Sequence, residues 1–314
     1  MTFYFTCIFS LFALISARSL TAEYSTFDDS GLTVHYVSRH ESLAKASLTI
    51  LKEARQKIAT HLKLSADTAA SVILVPSKDQ FYERISPKFG HLRVLGVANS
   101  EEGQILINLS KLLPGSHDPL VDTLTHEMTH IMLRLYEREN GVRLPRWFHE
   151  GVSSWLGRIF PLHPEEDRQL RAAANQSTLI PFYELDHSFP EFRSDSQLAY
   201  LQSEHFIRYL VRQHGEDAIA RILKAFAGQG ELRTAVPDAL RVDIIDEENK
   251  WRKSIKSRFP LLSIITNYMS LWTAGAFLTL VSFWLYRRRR KRLFAKWEEE
   301  QAPLLVEEEQ PPEP

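Results

Sequence analysis

The spacing of apolar positions changes several times along this chain, and each spacing predicts its own element. Phe3 to Ile15 is an almost unbroken apolar run, followed by Leu20-Thr21-Ala22 just before Glu23. This reads as a secretory signal peptide over 1–22, although a basic start is missing. An uncleaved anchor, the alternative, would also carry the following domain across a membrane. Short strand-like stretches then appear at Leu32–Val37 and Ser71–Val75, with an amphipathic helix between them at Glu41–Leu62. Leu43, Leu51, Ile58 and Leu62 form its inward face. Two more strands, Val94–Ala98 and Gln104–Leu109, flank the turn-like Asn99–Gly103.

From Asp118 onward the period is helical. Asp118-Pro119 supplies an N-cap and a first-position proline. Leu120, Leu124, Ile131 and Leu135 continue as a rear apolar stripe. Gly141 and Pro145 break that helix, and a second runs about Arg146–Arg158. Leu179-Ile180-Pro181-Phe182 begins a connector, and Ser194-Asp195 caps a helix over about Ser196–Gln213. Another helix starts at Gly215-Glu216 and reaches Ala227, and Asp246–Ser257 leads into the last apolar run.

That run, Leu261 to Tyr286, is 26 residues long and carries no charge from Met269 to Tyr286. It is long enough to span a bilayer with tilt, and the basic block Arg287–Arg292 behind it marks a cytoplasmic side. The tail to Pro314, with Glu298–Glu300, Glu307–Glu309 and late prolines, has the composition of solvated disorder. The expected organisation is a signal peptide at 1–22, a main folded domain at 23–258, a transmembrane helix at 261–286 and a cytoplasmic tail at 287–314.

Composition adds three constraints. With 44% apolar residues the chain can bury an ordinary core. A net charge of −1 does not point to nucleic acid as a partner. The single cysteine, Cys7, lies in the signal segment, so the mature chain has no disulfide and no thiol ligand. A bacterial inner-membrane protein with its domain in the periplasm fits this pattern. Asn108-Leu109-Ser110 and Asn175-Gln176-Ser177 match the glycosylation pattern, which matters only in a eukaryotic secretory route.

The chemistry concentrates in Thr125–His130, T-H-E-M-T-H. His126 and His130 are one helical turn apart on one face, so two imidazoles can occupy two corners of a Zn²⁺ tetrahedron. Glu127 lies beside them, where a carboxylate can take a proton from activated water. Glu150 in L-P-R-W-F-H-E-G follows His130 after 19 residues, a gap long enough for one helix to end and another to return. Its carboxylate completes a His₂Glu set that leaves one position open for water. Asp122, one turn before His126, either orients that imidazole or is a solvated acid of the first turn. His149 points about 100° away from Glu150 around a helix, which makes it a neighbour and not a fourth ligand.

His126-Glu127-x-x-His130 with Trp147-Phe148-His149-Glu150-Gly151 resembles the gluzincin metallopeptidases, of which thermolysin is the best known, and most closely the peptidase MA-like families. The likeness covers roughly Gly31 to Trp251 and is specific at the two metal-bearing helices. It implies an α+β fold, a small mixed sheet with helices followed by a helical half carrying the zinc site. It implies zinc as the cofactor, a peptide or protein substrate, and Glu127 as general base. Tyr200 matches the tyrosine that stabilises the oxyanion in the resembling families, and a structural tyrosine is the alternative. Gln104–Leu109 corresponds to the strand that pairs with extended substrate, or else is an ordinary edge strand. Thermolysin carries an Asp four residues after its Glu ligand; this chain has Ser154 there, preceded by Ser153. The competing function is a catalytically silent, membrane-tethered binding or assembly module with a structural metal. Such a site is closed by four protein ligands, and three are apparent here.

Overall fold

The computed structural model describes residues 24–85, 95–112, 118–158, 163–190, 193–256 and 275–291. The expected signal peptide, the first part of the expected membrane span and the tail beyond Lys291 lie outside the described residues. The chain divides into two units, 1–256 and 257–314.

In the first unit a polar strand, β1 (Ser25–Asp29), turns into β2 (Leu32–Tyr36) through Ser30 and Gly31. Both turn residues have positive φ, 53° and 79°, the geometry that matches the twist of a two-residue hairpin. Helix α1 (Glu41–Leu62) crosses to β3 (Ala70–Val75), which pairs parallel to β2. After the short α2 (Lys78–Arg84) come β4 (Gly96–Asn99) and β5 (Gln104–Asn108), an antiparallel pair. The sheet order is β1-β2-β3-β5-β4, with β5 parallel to β3.

The central strands are apolar on both faces because both faces are covered. Val72, Leu74, Ile105 and Ile107 join the main core, while Ile73, Val75 and Leu106 meet Phe81 of α2 in a smaller one. This topology corrects one expectation. Strand β5 has neighbours on both sides, so its backbone has no free edge for a substrate. The edge strand that packs against the helix carrying His126 and His130 is β4. Asn108, inside a glycosylation pattern, is fully buried, and its Oδ1 accepts from the Ser110 amide at 3.2 Å and hydroxyl at 2.6 Å.

The helical half follows: α3 (Asp118–Asn140), α4 (Arg146–Gly157), α5 (Pro164–Gln176), α6 (Phe182–His187), α7 (Arg193–His214), α8 (Ala218–Gln229), α9 (Leu232–Leu240) and α10 (Ile244–Ile255). Helix α4 packs between α3 and α7. Trp147 of α4 is buried against Phe182 and Phe206, and its indole N–H donates to Asp186 Oδ1 at 2.6 Å. Trp251 of α10 closes the same aromatic cluster.

In the second unit residues 275–291 are helical and carry Phe277, Leu280, Phe283 and Trp284 exposed. This helix covers the second part of the expected span, 275–286, and continues through most of the basic block. No helix among the described residues is long and apolar enough to cross a membrane.

Candidate metal centre

The site is built by α3 and α4 meeting at a tight return. Gly141 takes φ 64° just past α3, and Val142 N–H bonds back to Glu137 O at 3.0 Å, the left-handed closure that ends a helix. Glu137 is buried; its Oε1 accepts from the Leu144 amide at 2.6 Å and its Oε2 from Arg134 at 2.8 Å. One carboxylate thus sets the entry of the chain into α4.

Two glycines of α4 then allow close contact on both sides. A Cβ at Gly151 would lie 2.8 Å from both Ser203 O and Ile207 Cγ1 of α7. A Cβ at Gly157 would lie 2.8 Å from His126 Cβ and 2.9 Å from Asp122 O of α3. The glycine after Glu150 in the motif is therefore where the α7 backbone comes closest.

With the helices so placed, His126, His130 and Glu150 converge, all buried, with their donor atoms within 4.8 Å of one another. Nε2 of His126 is 2.8 Å from Nε2 of His130, and Glu150 Oε2 is 3.7 Å and 3.3 Å from these two nitrogens. Ligands bound at about 2.0–2.1 Å to a tetrahedral Zn²⁺ stand about 3.3 Å apart, and the three separations bracket that edge. Two imidazoles and one carboxylate turned toward a common point, away from water, fit a divalent metal. No fourth His, Cys, Asp or Glu joins this group among the described residues.

The electrostatics follow from burial. Desolvation pushes the His126 imidazole down to about 4, helped by His130 and opposed by Glu150, so it is neutral and free to ligate. Burial pushes Glu150 up, but His130, His126 and Arg146 outweigh it and hold the carboxyl well below the usual range. Burial raises Glu127 well above the ordinary carboxylate value, and the charge of Glu150 adds to this; the Ala98 amide opposes it. No side chain hydrogen-bonds to either Glu127 oxygen among the described residues. Two acids on adjacent helices are thus driven in opposite directions, the pattern that separates a ligand from a base.

Neighbouring side chains hold the converging atoms. Tyr200 OH donates to Glu150 Oε1 at 3.4 Å, and Arg146 Nε is 3.8 Å from the same oxygen. The guanidinium of Arg146 lies over the Phe189 ring, 4.9 Å from its centroid, and Phe189 meets Tyr200 edge-on. His130 Nδ1 faces His149 Nδ1 at 2.7 Å and Ser153 Oγ at 3.2 Å. Helix periodicity alone leaves His149 without a partner. Turning away from Glu150 around α4 carries it to His130, a relation visible only once the two helices are docked. Ser153, not Ser154, is the serine that reaches His130. Asp122 exerts its charge on Arg158 and Lys57.

Beside the site is a cleft of about 700 Å³, lined by Asn99 at the end of β4, Arg134, Arg146, His149, Asp186 and Phe189 among others. In β4 the register with β5, and the Asn108 N–H bond to Leu95 O at 2.7 Å, leave the amides and carbonyls of Gly96 and Ala98 facing away from the sheet. Gly96 packs against α3, since a Cβ there would be 2.5 Å from Thr123 Cγ2.

Comparison with known proteins agrees with this arrangement. The family profile described as Peptidase MA superfamily matches residues 96–257, from β4 to just past α10. The uncharacterized protein YhcO of Bacillus subtilis (strain 168) is 24% identical over 245 residues, covering 74% of this chain and 72% of the relative.

Proposed function

The chain belongs to the Peptidase MA superfamily, and on that premise we propose that it is a membrane-anchored zinc metallopeptidase that hydrolyses peptide bonds. The observation that carries this reading is the convergence of His126, His130 and Glu150, with the buried carboxylate of Glu127 next to His126 on the same helix. Zinc bound by the three would supply Lewis acidity, polarising a carbonyl and lowering the pKa of water.

The remaining work falls to the protein. Glu127, raised by burial and by Glu150, has the basicity to accept a proton from the attacking water and pass it to the leaving amine. Tyr200, close to Glu150, donates to the oxyanion that develops on the scissile carbonyl. The outward backbone of Gly96 and the outward carbonyl of Ala98 bind an extended peptide by strand addition, which gives β4 the part expected of Gln104–Leu109. A structural metal would need a fourth protein ligand, so the set of three favours the enzyme.

The helix at 275–291 is then the described end of a single membrane anchor. The block Arg287–Arg292 lies on the cytoplasmic side and the catalytic unit on the other, in a bacterium the periplasm. This is a type I arrangement.

The test is metal analysis and peptide-library cleavage with the purified full-length protein, beside Glu127→Gln and Tyr200→Phe. Stoichiometric zinc in all three is expected, with cleavage lost in Glu127→Gln and kcat lowered about 10²-fold in Tyr200→Phe. A wild-type protein that binds no zinc would defeat the reading. So would a Glu127→Gln variant that cleaves as well as the parent.

A further inference from the structure

We propose that His149 is a positioning residue that holds His130 in the one tautomer able to ligate a metal, with Ser153 as the auxiliary acceptor. The inference rests on the metal-site reading above. His130 turns Nε2 toward His126 and Glu150. For that nitrogen to offer a lone pair, the proton must sit on Nδ1. A buried N–H needs an acceptor, and two are present: His149 Nδ1 at 2.7 Å and Ser153 Oγ at 3.2 Å.

The ring geometry makes His149 the better of the two. The planes are 15° apart and the centroids 4.9 Å apart. That separation equals the N–N distance plus one ring radius on each side, so the imidazoles meet edge to edge in nearly one plane. Face-to-face stacking would not direct one nitrogen at the other. The N–H therefore points along the His149 lone pair, the strong direction for such a bond.

Both tautomers are set at once. His149 must accept at Nδ1, so its own proton is on Nε2. The opposite choice would press two N–H groups together at 2.7 Å. The same geometry excludes His149 as a fourth ligand, because its Nδ1 lies on the Nδ1 side of His130 while the metal-facing atoms lie on the Nε2 side. A carboxylate could orient His130 as well but would add a charge beside Glu150. A neutral imidazole does so without one. His149 immediately precedes Glu150 on α4, so one rigid helix supplies a ligand and also aligns a ligand of its neighbour.

The experiment compares wild-type protein with His149→Leu, His149→Asn and Ser153→Ala. It measures zinc affinity by chelator competition, the visible spectrum of the Co²⁺-loaded protein, and the thermal stability of the metal-free form. His149→Leu is expected to weaken zinc about 10- to 100-fold and to shift the cobalt bands. His149→Asn, whose amide oxygen can accept from His130, should recover most of the affinity, and Ser153→Ala should lose less than His149→Leu. The proposal is overturned by a His149→Leu protein that binds zinc within twofold of wild type with an unchanged cobalt spectrum. It is also overturned if His149→Asn is as weak as His149→Leu and both lose the same metal-free stability, which would be a packing effect. A wild-type protein without zinc would overturn the metal site itself, a result distinct from either.

Discussion

His205 on α7 is half-buried against Trp251, whose indole N–H donates to His205 Nδ1 at 2.8 Å. Burial lowers its imidazole from 6.5 to about 4; Arg212, Arg171 and Arg208 add to this and Asp167 opposes it. Protonation would remove the acceptor that Trp251 needs. Because the folded value lies below the unfolded one, the unfolded chain binds more protons between about pH 6.5 and 4. Stability is therefore complete above the unfolded value and falls as the pH drops toward 4. The partly exposed ring gives a loss of roughly 1–3 kcal/mol from this residue. Chemical denaturation at pH 7.5 and 4.5 should show a smaller difference for His205→Gln than for wild type. Equal slopes would mean that His205 does not titrate with folding. The sequence alone places this histidine on an apolar face with Leu201 and Tyr209. Its bond to Trp251, 46 positions away, required the packing of α10 on α7.

At the level of elements, the convergence of His126, His130 and Glu150 depends on how closely α4 approaches its two neighbours. The glycines that permit it differ from glycines that do not. Gly151→Ala would force a methyl into the Ser203 carbonyl and Ile207, and should cost about 1–3 kcal/mol as overpacking. Gly228, inside α8, stands in open space: a Cβ added there would meet nothing within 4 Å. Gly228→Ala should stabilise by about 0.5–1 kcal/mol through helix propensity alone. Thermal unfolding of both variants checks the contrast, and equal shifts would remove the packing argument. The long helices were legible because their periodicity is local: α1 runs from Glu41 to Leu62 as its pattern implied. Elements without a strong pattern were not. Strand β1 is mostly polar, and α9 contains Pro237 in only nine residues, a breaker tolerated there by packing of Leu232, Ala235 and Val236.

For the whole molecule the proposed orientation makes a topological prediction. In intact bacterial spheroplasts expressing the full chain, added protease should digest the unit before 257 and spare an epitope placed after the basic block. Digestion of the tail with protection of the catalytic unit would reverse the orientation. Loss of the protein from the membrane fraction on alkaline washing would remove the anchor.

The sequence by itself pointed to the candidate donors His126 and His130 and to the candidate base Glu127, because the three lie within little more than one helical turn and helix geometry is set by neighbours along the chain. The returning helix and its Glu150 could also be read, from Gly141, Pro145 and the aromatic run that follows. Only the tertiary structure decided that Gln104–Asn108 is an interior strand, since that depends on β5 inserting between β3 and β4. It also decided that His149 and Ser153 meet His130, and that Tyr200 reaches Glu150 across 50 positions. Such contacts join residues on different elements. Their distances follow from how closely helices dock, which in this chain is controlled by missing side chains at Gly151 and Gly157, and no periodicity in the chain encodes them.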